Sequence, residues 1–338
     1  MTSPARTATG WTDPWAERPG DEDARLGLAH HGLAVASTGE VLSAHPGRPE
    51  LLVHDGSGAL LRSVPLPVTE LHDMTVVEGP DGDHVWVADM GLKVHRRPDG
   101  TYPIPTDAGE GKAVLVTLAG EVVRELPTPP GPRTATYRPT SIVVDEVSAG
   151  GTGEIWVADG YGASTVHVYG PEGDHRSTLD DVPGAGRFDC PHAMLLDRRT
   201  AEPQIYVADR KNRRLVVLDL AGKVKRIVGA EHLNSPSGLT VAGRLLVVAE
   251  HRAARLAVFD EDDQLVGFIG EDPTAITRAG WPNAVDADGL PVAPDFASGR
   301  FNSPHGLTAG PDGTVYVAEY VIGGRVVRLA SDLFARPC

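Results

Sequence analysis

The segment PHAMLLDRRTAEPQIYVAD at residues 191–209 contains two apolar stretches joined by a polar turn, as in a pair of short β-strands. A related phrase returns along the chain, each time followed by a second apolar stretch such as VWVADM or VYVAEY. The six copies start near His31, His72, Thr140, His192, Ser237 and His305. A unit that recurs every roughly 40 to 70 residues indicates a propeller or a solenoid. We therefore predict an all-β fold, a six-bladed β-propeller.

The composition agrees with this fold class and excludes several functions. The 338 residues include 39 Gly and 28 Pro, which suits many short strands joined by tight turns. A formal net charge of −15 argues against nucleic acid or an anionic membrane as partner. The sequence contains no apolar run of signal-peptide or membrane-span length, so we expect a cytoplasmic protein. Two cysteines, Cys190 and Cys338, are too few for a disulfide framework. The oligomeric state stays open.

The repeats divide the chain into an irregular N-terminal arm at residues 1–24 and a single propeller at 25–338. The arm is a candidate to complete the last blade, because closing the ring removes an exposed strand edge. Two long insertions, at about residues 90–111 and 271–303, are predicted to project from the face that carries the repeated histidines. Long loops gathered on one face are often functional.

Histidine occupies the same position of the phrase in the second, fourth and sixth repeats, as His72, His192 and His305. Alternate blades of a six-bladed ring place three such side chains around one axis. Three neutral imidazoles with one open position are typical of catalytic Zn²⁺, although iron, manganese or cobalt would also suit them. His31 holds this position in the first repeat, and we expect it near the metal or the substrate, with His30 facing the opposite way.

A second set of side chains follows the Val-Ala-Asp strands on the same face. The acids Asp89, Asp159, Asp209, Glu250 and Glu319 recur in five repeats, so we assign them a structural role as acceptors for backbone N–H groups in turns. Three residues here are not shared between repeats and are candidate catalytic groups. Arg210 and Arg48 could bind a carboxylate, and Tyr161 could transfer a proton.

These phrases resemble NHL repeats and, more specifically, the catalytic core of peptidyl-α-hydroxyglycine α-amidating lyase. The resemblance covers about residues 28–330 and rests on four phrases in order: ELHDMTV, VADGYGAS, CPHAMLLD with YVADRKNRR, and SPHGLTAGPDGTVYVAE. It implies zinc bound by His72, His192 and His305, with Tyr161 and Arg210 as catalytic residues and Arg48 as a weaker match. Gly162 and Gly306 stand where the family has a cysteine and a calcium-linked aspartate, so calcium is not expected.

The leading hypothesis is a zinc-dependent lyase that breaks a C–N or C–O bond in a small-molecule or peptide-derived substrate bearing a hydroxyl or a carboxylate. A zinc hydrolase or hydro-lyase of secondary metabolism would use the same residues. A non-catalytic NHL interaction scaffold would leave the three histidines as coincidence. A lactone or organophosphate hydrolase propeller is a further alternative, but its site favours calcium with acidic or amide ligands.

Overall fold

The computed structural model of the chain describes residues 6–130 and 135–334. Its N-terminal segment, predicted as irregular, contains two strands and a short helix: β1 (Arg6–Ala8), β2 (Trp11–Asp13) and α1 (Glu22–Leu26). The rest of the described chain is nearly all β, and it confirms the predicted six-bladed propeller. Within the described residues, no helix has both the length and the apolar character that crossing a membrane requires.

Blades 1 to 3 are antiparallel four-stranded meanders. Blade 1 contains β3 (Ala34–Val35), β4 (Val41–Ala44), β5 (Glu50–His54) and β6 (Leu60–Pro65). Blade 2 contains β7 (Asp73–Gly79), β8 (Gly82–Asp89), β9 (Lys112–Thr117) and β10 (Val122–Glu125). Blade 3 contains β11 (Ser141–Val144), β12 (Ile155–Asp159), β13 (Thr165–Tyr169) and β14 (His175–Leu179).

Blades 4 and 5 have the same topology, and two short ribbons lie between blades. The ribbon before blade 4 pairs β15 (Asp181–Val182) with β16 (Gly186–Arg187). Blade 4 contains β17 (Pro191–Asp197), β18 (Gln204–Asp209), β19 (Arg214–Leu218) and β20 (Val224–Val228). Blade 5 contains β21 (Pro236–Ala242), β22 (Leu245–Glu250), β23 (Arg255–Phe259) and β24 (Leu265–Ile269). The 271–303 insertion forms the second ribbon, β25 (Ala284–Val285) with β26 (Pro291–Val292).

Blade 6 is built from both ends of the chain. Its strands β27 (Pro304–Ala309), β28 (Val315–Glu319) and β29 (Arg325–Leu329) continue into β2 and then β1. The Arg325 guanidinium is buried between the carboxylates of Asp13 and Glu319, and its Nε donates to Asp13 Oδ1 at 2.9 Å. An ion pair with both partners buried is costly to break at one side only. The N-terminal segment is therefore fixed to the last blade.

The first strand of each blade lines the axis, and the six inner strands contact one another in a closed ring. The second and third strands are almost fully buried, because neighbouring blades cover both faces of each sheet. Each interface between blades contains one cluster of buried apolar side chains. The cluster between blades 6 and 1 includes Trp15 of the N-terminal segment. Packing around the ring thus holds the inner strands at fixed positions on the axis.

Candidate metal centre

The three predicted ligands meet on the axis. His192 and His305 lie where the pairing of the inner strand with its neighbour shifts register, after Pro191 and Pro304. Such a bulge re-aims a side chain. His72 directly precedes β7. The ring centroids of His72, His192 and His305 lie 4.8–5.1 Å apart, and so form a nearly equilateral triangle. The structure brings the three predicted ligand residues together.

Backbone carbonyls orient these rings and fix their tautomers. Nδ1 of His72 lies 2.7 Å from the carbonyl oxygen of Thr140 in the next blade, and Nδ1 of His192 lies 2.7 Å from that of Ser237. A carbonyl only accepts, so each Nδ1 carries the proton and each Nε2 keeps its lone pair. The carbonyl of His31 lies beside His305 in the equivalent place and partly offsets the effect of burial on its pKa.

The ring nitrogens fit a metal ion. His72 Nε2 and both ring nitrogens of His305 are buried without a hydrogen bond of ordinary geometry to another described residue. Burial lowers the pKa of His72 to about 3 and those of His192 and His305 well below the usual range. The rings are therefore neutral at pH 7, the form that binds transition metals. Buried, unpartnered lone pairs that converge on one point are otherwise costly, and a cation would satisfy them.

A fourth histidine joins the cluster, but it is not the predicted one. His30, with His72, His192 and His305, offers ligand atoms that all lie within 4.8 Å of one another. His31 turns away: its Nδ1 bonds to the carbonyl oxygen of Gly32 at 2.9 Å, and its ring lines a separate cavity between blades 1 and 6. The expected orientations of the two residues are reversed. Both precede β3, which begins only at Ala34, so strand alternation does not govern them.

Tyr161 and Arg210 lie against the histidines. The Tyr161 hydroxyl is 2.8 Å from His192 Nε2 and 3.1 Å from His30 Nε2, and it accepts from Arg210 Nη1 at 3.2 Å. Burial raises the pKa of Tyr161 to about 12, although the charge of Arg210 opposes this. The guanidinium also lies 5.2 Å from the centroid of the phenol ring. A protonated phenol and a cation thus adjoin the candidate metal centre.

Arg48 is elsewhere, contrary to the prediction that it contributes to the site. Its guanidinium donates to Glu50 at 2.7 Å and to Asp21 at 3.1 Å, and it lies 3.4 Å from Asp23. The segment between β4 and β5 faces helix α1, whose N-terminal region carries these aspartates. The charge of Arg48 is therefore neutralised at a partly exposed position, apart from the residues that line the histidine pocket.

A cavity of about 610 Å³ opens above the histidines. His251, Arg252 and Tyr320, which follow the second strands of blades 5 and 6, line it. Trp281, from the 271–303 insertion, packs on His251 with ring centroids 5.0 Å apart. Their place after the Val-Ala-Glu strands was the sequence signal for the first three, whereas no repeat pattern marks Trp281. The cavity gives a small molecule access to the candidate metal centre.

The recurring acids have the structural role that their repetition predicted. Asp89 accepts from the backbone N–H groups of Thr69, Glu70 and Gly91. Comparable bonds to backbone N–H groups are made by Asp159, Asp209, Glu250 and Glu319. They fix the loops that lead into and out of the inner strands.

Gly306 has a steric reason to lack a side chain. A Cβ there would lie 2.6 Å from the carbonyl oxygen of His31, closer than real contacts allow. Blades 6 and 1 approach each other closely at this point, next to His305. An aspartate does not fit at this position without movement of the backbone.

The chain is thus a six-bladed β-propeller with four histidines converging on its axis. Its sequence is similar to peptidyl-glycine alpha-amidating monooxygenase A of Xenopus laevis, at 25% identity over 254 residues, which is 70% of this chain and 24% of that protein. The peptidylglycine alpha-amidating monooxygenase of Rattus norvegicus is 22% identical over 304 residues, covering 88% of this chain and 26% of its own length. The chain spans about a quarter of the length of these curated relatives.

Solved structures agree on the fold. A streptogramin B lyase superposes with a TM-score of 0.57 at 14% identity, over 94% of this chain and 96% of that one. A catalytically inactive virginiamycin B lyase from Staphylococcus aureus with quinupristin superposes with a TM-score of 0.57 at 15% identity, over 95% and 98% of the two chains. At such identities the likeness concerns architecture alone. No protein-family model matches the chain.

Proposed function

We propose that this protein is a zinc-dependent lyase of the amidating-lyase type, acting on a small substrate with an α-hydroxyl and a carboxylate. One observation carries the proposal: the Tyr161 hydroxyl contacts His192, His30 and Arg210 at once, beside a cluster of neutral imidazoles. A proton-transfer group, a cation and a candidate metal site therefore meet at one point. The sequence similarity to peptidylglycine alpha-amidating monooxygenases supports chemistry of the amidating type, in agreement with the resemblance of the repeated phrases to the amidating lyase.

His72, His192 and His305 would hold Zn²⁺, and His30 lies within reach as a fourth donor. Bound zinc would supply Lewis acidity toward an oxygen of the substrate. The Nδ1–H bonds of His72 and His192 to carbonyls keep their Nε2 atoms directed at the axis. Ligation through Nε2 of His192 would also release the Tyr161 hydroxyl from its present partner.

Tyr161 can carry out both proton transfers that the reaction needs. In an N-acyl-α-hydroxyglycine the C–N bond breaks, the hydroxyl becomes a carbonyl, and the products are an amide and glyoxylate. Tyr161, protonated at neutral pH, gives its proton to the departing nitrogen and regains one from the substrate hydroxyl. The N–H of Arg210 that already contacts the phenol oxygen stabilises the phenolate formed between these two transfers.

Arg210 also suits the substrate carboxylate. Its guanidinium is half-buried and has five N–H donors, and it forms no ion pair with another described residue. A guanidinium can bind a carboxylate through two parallel N–H···O bonds, which fix the orientation of the carboxylate as well as its position. The bond that breaks is then held next to the Tyr161 hydroxyl.

The test combines metal analysis with a turnover assay. Protein purified without chelator should contain about one zinc per chain, and zinc-loaded protein should release glyoxylate from N-benzoyl-α-hydroxyglycine. Hydrolysis of esters or amides without glyoxylate release would favour the hydrolase alternative. Protein that takes up no metal, even after reconstitution, would overturn the enzyme assignment and favour the interaction scaffold.

A further inference from the structure

The cavity above the histidines has a lining of one charge sign. Its cationic residues are Arg210, Lys211, Arg213 and Arg252, and its other described lining residues are neutral or histidine. The whole chain, in contrast, has a net charge of −15. A concave surface lined by one sign of charge concentrates ligands of the opposite sign. The pocket therefore selects anions on a protein that otherwise repels them.

Three of these four cations have no acidic partner within residues 6–130 and 135–334. Lys211 Nζ lies 3.0 Å from Asp189 Oδ1, so its charge is largely compensated. Arg210, Arg213 and Arg252 form no ion pair with any residue in the described ranges, whereas many other arginines of the chain do. One substrate carboxylate at Arg210 leaves two guanidiniums unused.

The unused cations lie farther from the histidines than Arg210. Arg210 donates to the Tyr161 hydroxyl beside the histidines at 3.2 Å, whereas Arg252 lies 5.9 Å from the ring of Trp281. Arg252 and Arg213 are exposed, at the rim.

Trp281 packs beside two residues that line the pocket, His251 and Arg252. Its ring centroid lies 5.0 Å from that of His251, and the guanidinium of Arg252 lies 5.9 Å from the Trp281 ring. An indole face holds a nearby guanidinium by a cation–π contact and leaves its N–H groups directed outward. The rim cation is therefore positioned before any ligand arrives.

We propose that the substrate carries a second anionic group beyond the carboxylate at Arg210, and that Arg252 and Arg213 bind this group at the rim. The substrate class is then a small dianion built on an α-hydroxy acid. This inference rests on the proposed function for the place of the reacting end, but the binding it predicts does not require turnover.

Lactate and malate test the inference, because both are α-hydroxy acids and only malate has a second carboxylate. Binding to the zinc-loaded protein is measured by calorimetry and by tryptophan fluorescence. Trp281 is the only described tryptophan that is not buried, so it should dominate the ligand response. We expect malate to bind about 10-fold more tightly than lactate at low salt, with the gap shrinking as salt rises.

Arginine variants test which residues cause the difference in affinity between malate and lactate. Arg252→Gln with Arg213→Gln should reduce malate affinity to about that of lactate and weaken lactate binding much less than malate binding. Arg62→Gln with Arg244→Gln, which also removes two positive charges but outside the pocket, is the matched control and should leave the difference between malate and lactate in place. Equal affinities in the wild type, absence of binding by either acid, or a gap that survives in the variant lacking Arg252 and Arg213 would overturn the proposal.

Failure here and failure of the proposed function give different results. If malate binds more tightly than lactate through the two arginines but the protein releases no glyoxylate, the lyase assignment is removed and the dianion site is kept. Glyoxylate release without such a gap would keep the lyase and remove the second anionic group.

Discussion

Blades 2, 4 and 6 present imidazole rings to the axis, whereas blades 3 and 5 present a backbone carbonyl and a hydroxyl at the equivalent positions. The carbonyls of Thr140 and Ser237 accept the Nδ1–H of a histidine in the preceding blade. Their hydroxyls donate forward, from Thr140 to the carbonyl of Pro191 at 2.9 Å and from Ser237 to that of Pro304 at 3.1 Å. Each proline directly precedes a histidine of the cluster. Residues of blades 3 and 5 thus orient the histidine segments that blades 2, 4 and 6 contribute to the axis.

Blade 1 departs from this division. His31 stands where blades 3 and 5 have Thr140 and Ser237, and its ring bonds to the adjacent Gly32 carbonyl instead of reaching the next blade. The same segment adds His30 to the cluster. The framework therefore has approximate threefold symmetry, while its chemistry does not. His30 and Tyr161 lie on one side of the site only, and the proposed proton transfer belongs to that side.

Removal of an even-blade histidine should have the largest effect. His192→Ala removes a proposed zinc ligand and the acceptor of the Tyr161 hydroxyl, so we expect zinc affinity to fall by about 100-fold or more and glyoxylate release to be lost. Elemental analysis after dialysis gives the metal content, and circular dichroism checks the fold. A folded variant that keeps one zinc per chain would contradict the even-blade assignment.

Tyr161→Phe should come next, because it removes the proposed proton-transfer group and leaves the ring in place. We expect kcat to fall by about 10²- to 10⁴-fold with zinc content unchanged. Steady-state kinetics of the zinc-loaded variant measures this. An unchanged kcat would show that the proton moves through another group, and His30→Gln would then be the variant to compare.

An odd-blade hydroxyl should matter less. Ser237→Ala keeps the carbonyl that orients His192 but removes the hydroxyl bond to Pro304, so we expect zinc to bind about 10-fold more weakly. Competition with a chelator of known affinity measures the change. Ser177→Ala, on the exposed outer strand β14, is the control for losing a serine hydroxyl. Equal zinc affinity in the two variants would show that the odd blades do not position the ligands.

Arg48→Ala should have the smallest effect on activity. Its guanidinium pairs with Glu50 and Asp21 away from the pocket, at a partly exposed position. Exposed pairs of this kind contribute about 0–1 kcal/mol to stability. We expect kcat/KM to stay within about twofold of the wild type, since the pair touches no pocket residue. A large loss of kcat/KM with normal stability would place Arg48 in the site after all.

Much of this architecture could be predicted from the repeats. The six copies of the repeated phrase predicted six blades. The common position of His72, His192 and His305 within the phrase predicted that they meet on the axis. Repetition also separated the structural acids, such as Asp89, from unique residues such as Tyr161. These conclusions follow from symmetry, since equivalent positions in equivalent blades must lie around one axis.

The incorrect expectations concern places where the repeat is interrupted. His30 and His31 precede a two-residue strand, so their directions depend on the loop and not on strand alternation. Arg48 lies in a segment whose acidic partners come from α1, an element outside the repeats. Trp281 belongs to an insertion and has no equivalent in other blades. Contacts between repeat and non-repeat segments leave no periodic trace in the sequence.

The joint in blade 6 has a consequence for how the protein assembles. Asp13 and Arg325 are 312 residues apart in the chain, and a contact of such separation must overcome a large loop-closure entropy. His305 lies in the blade that this contact completes. The histidine cluster is therefore complete only after the ring has closed. A metal ion bound by blades 2, 4 and 6 together would stabilise the closed ring, because its binding free energy adds to the free energy needed to separate the two ends of the chain in blade 6.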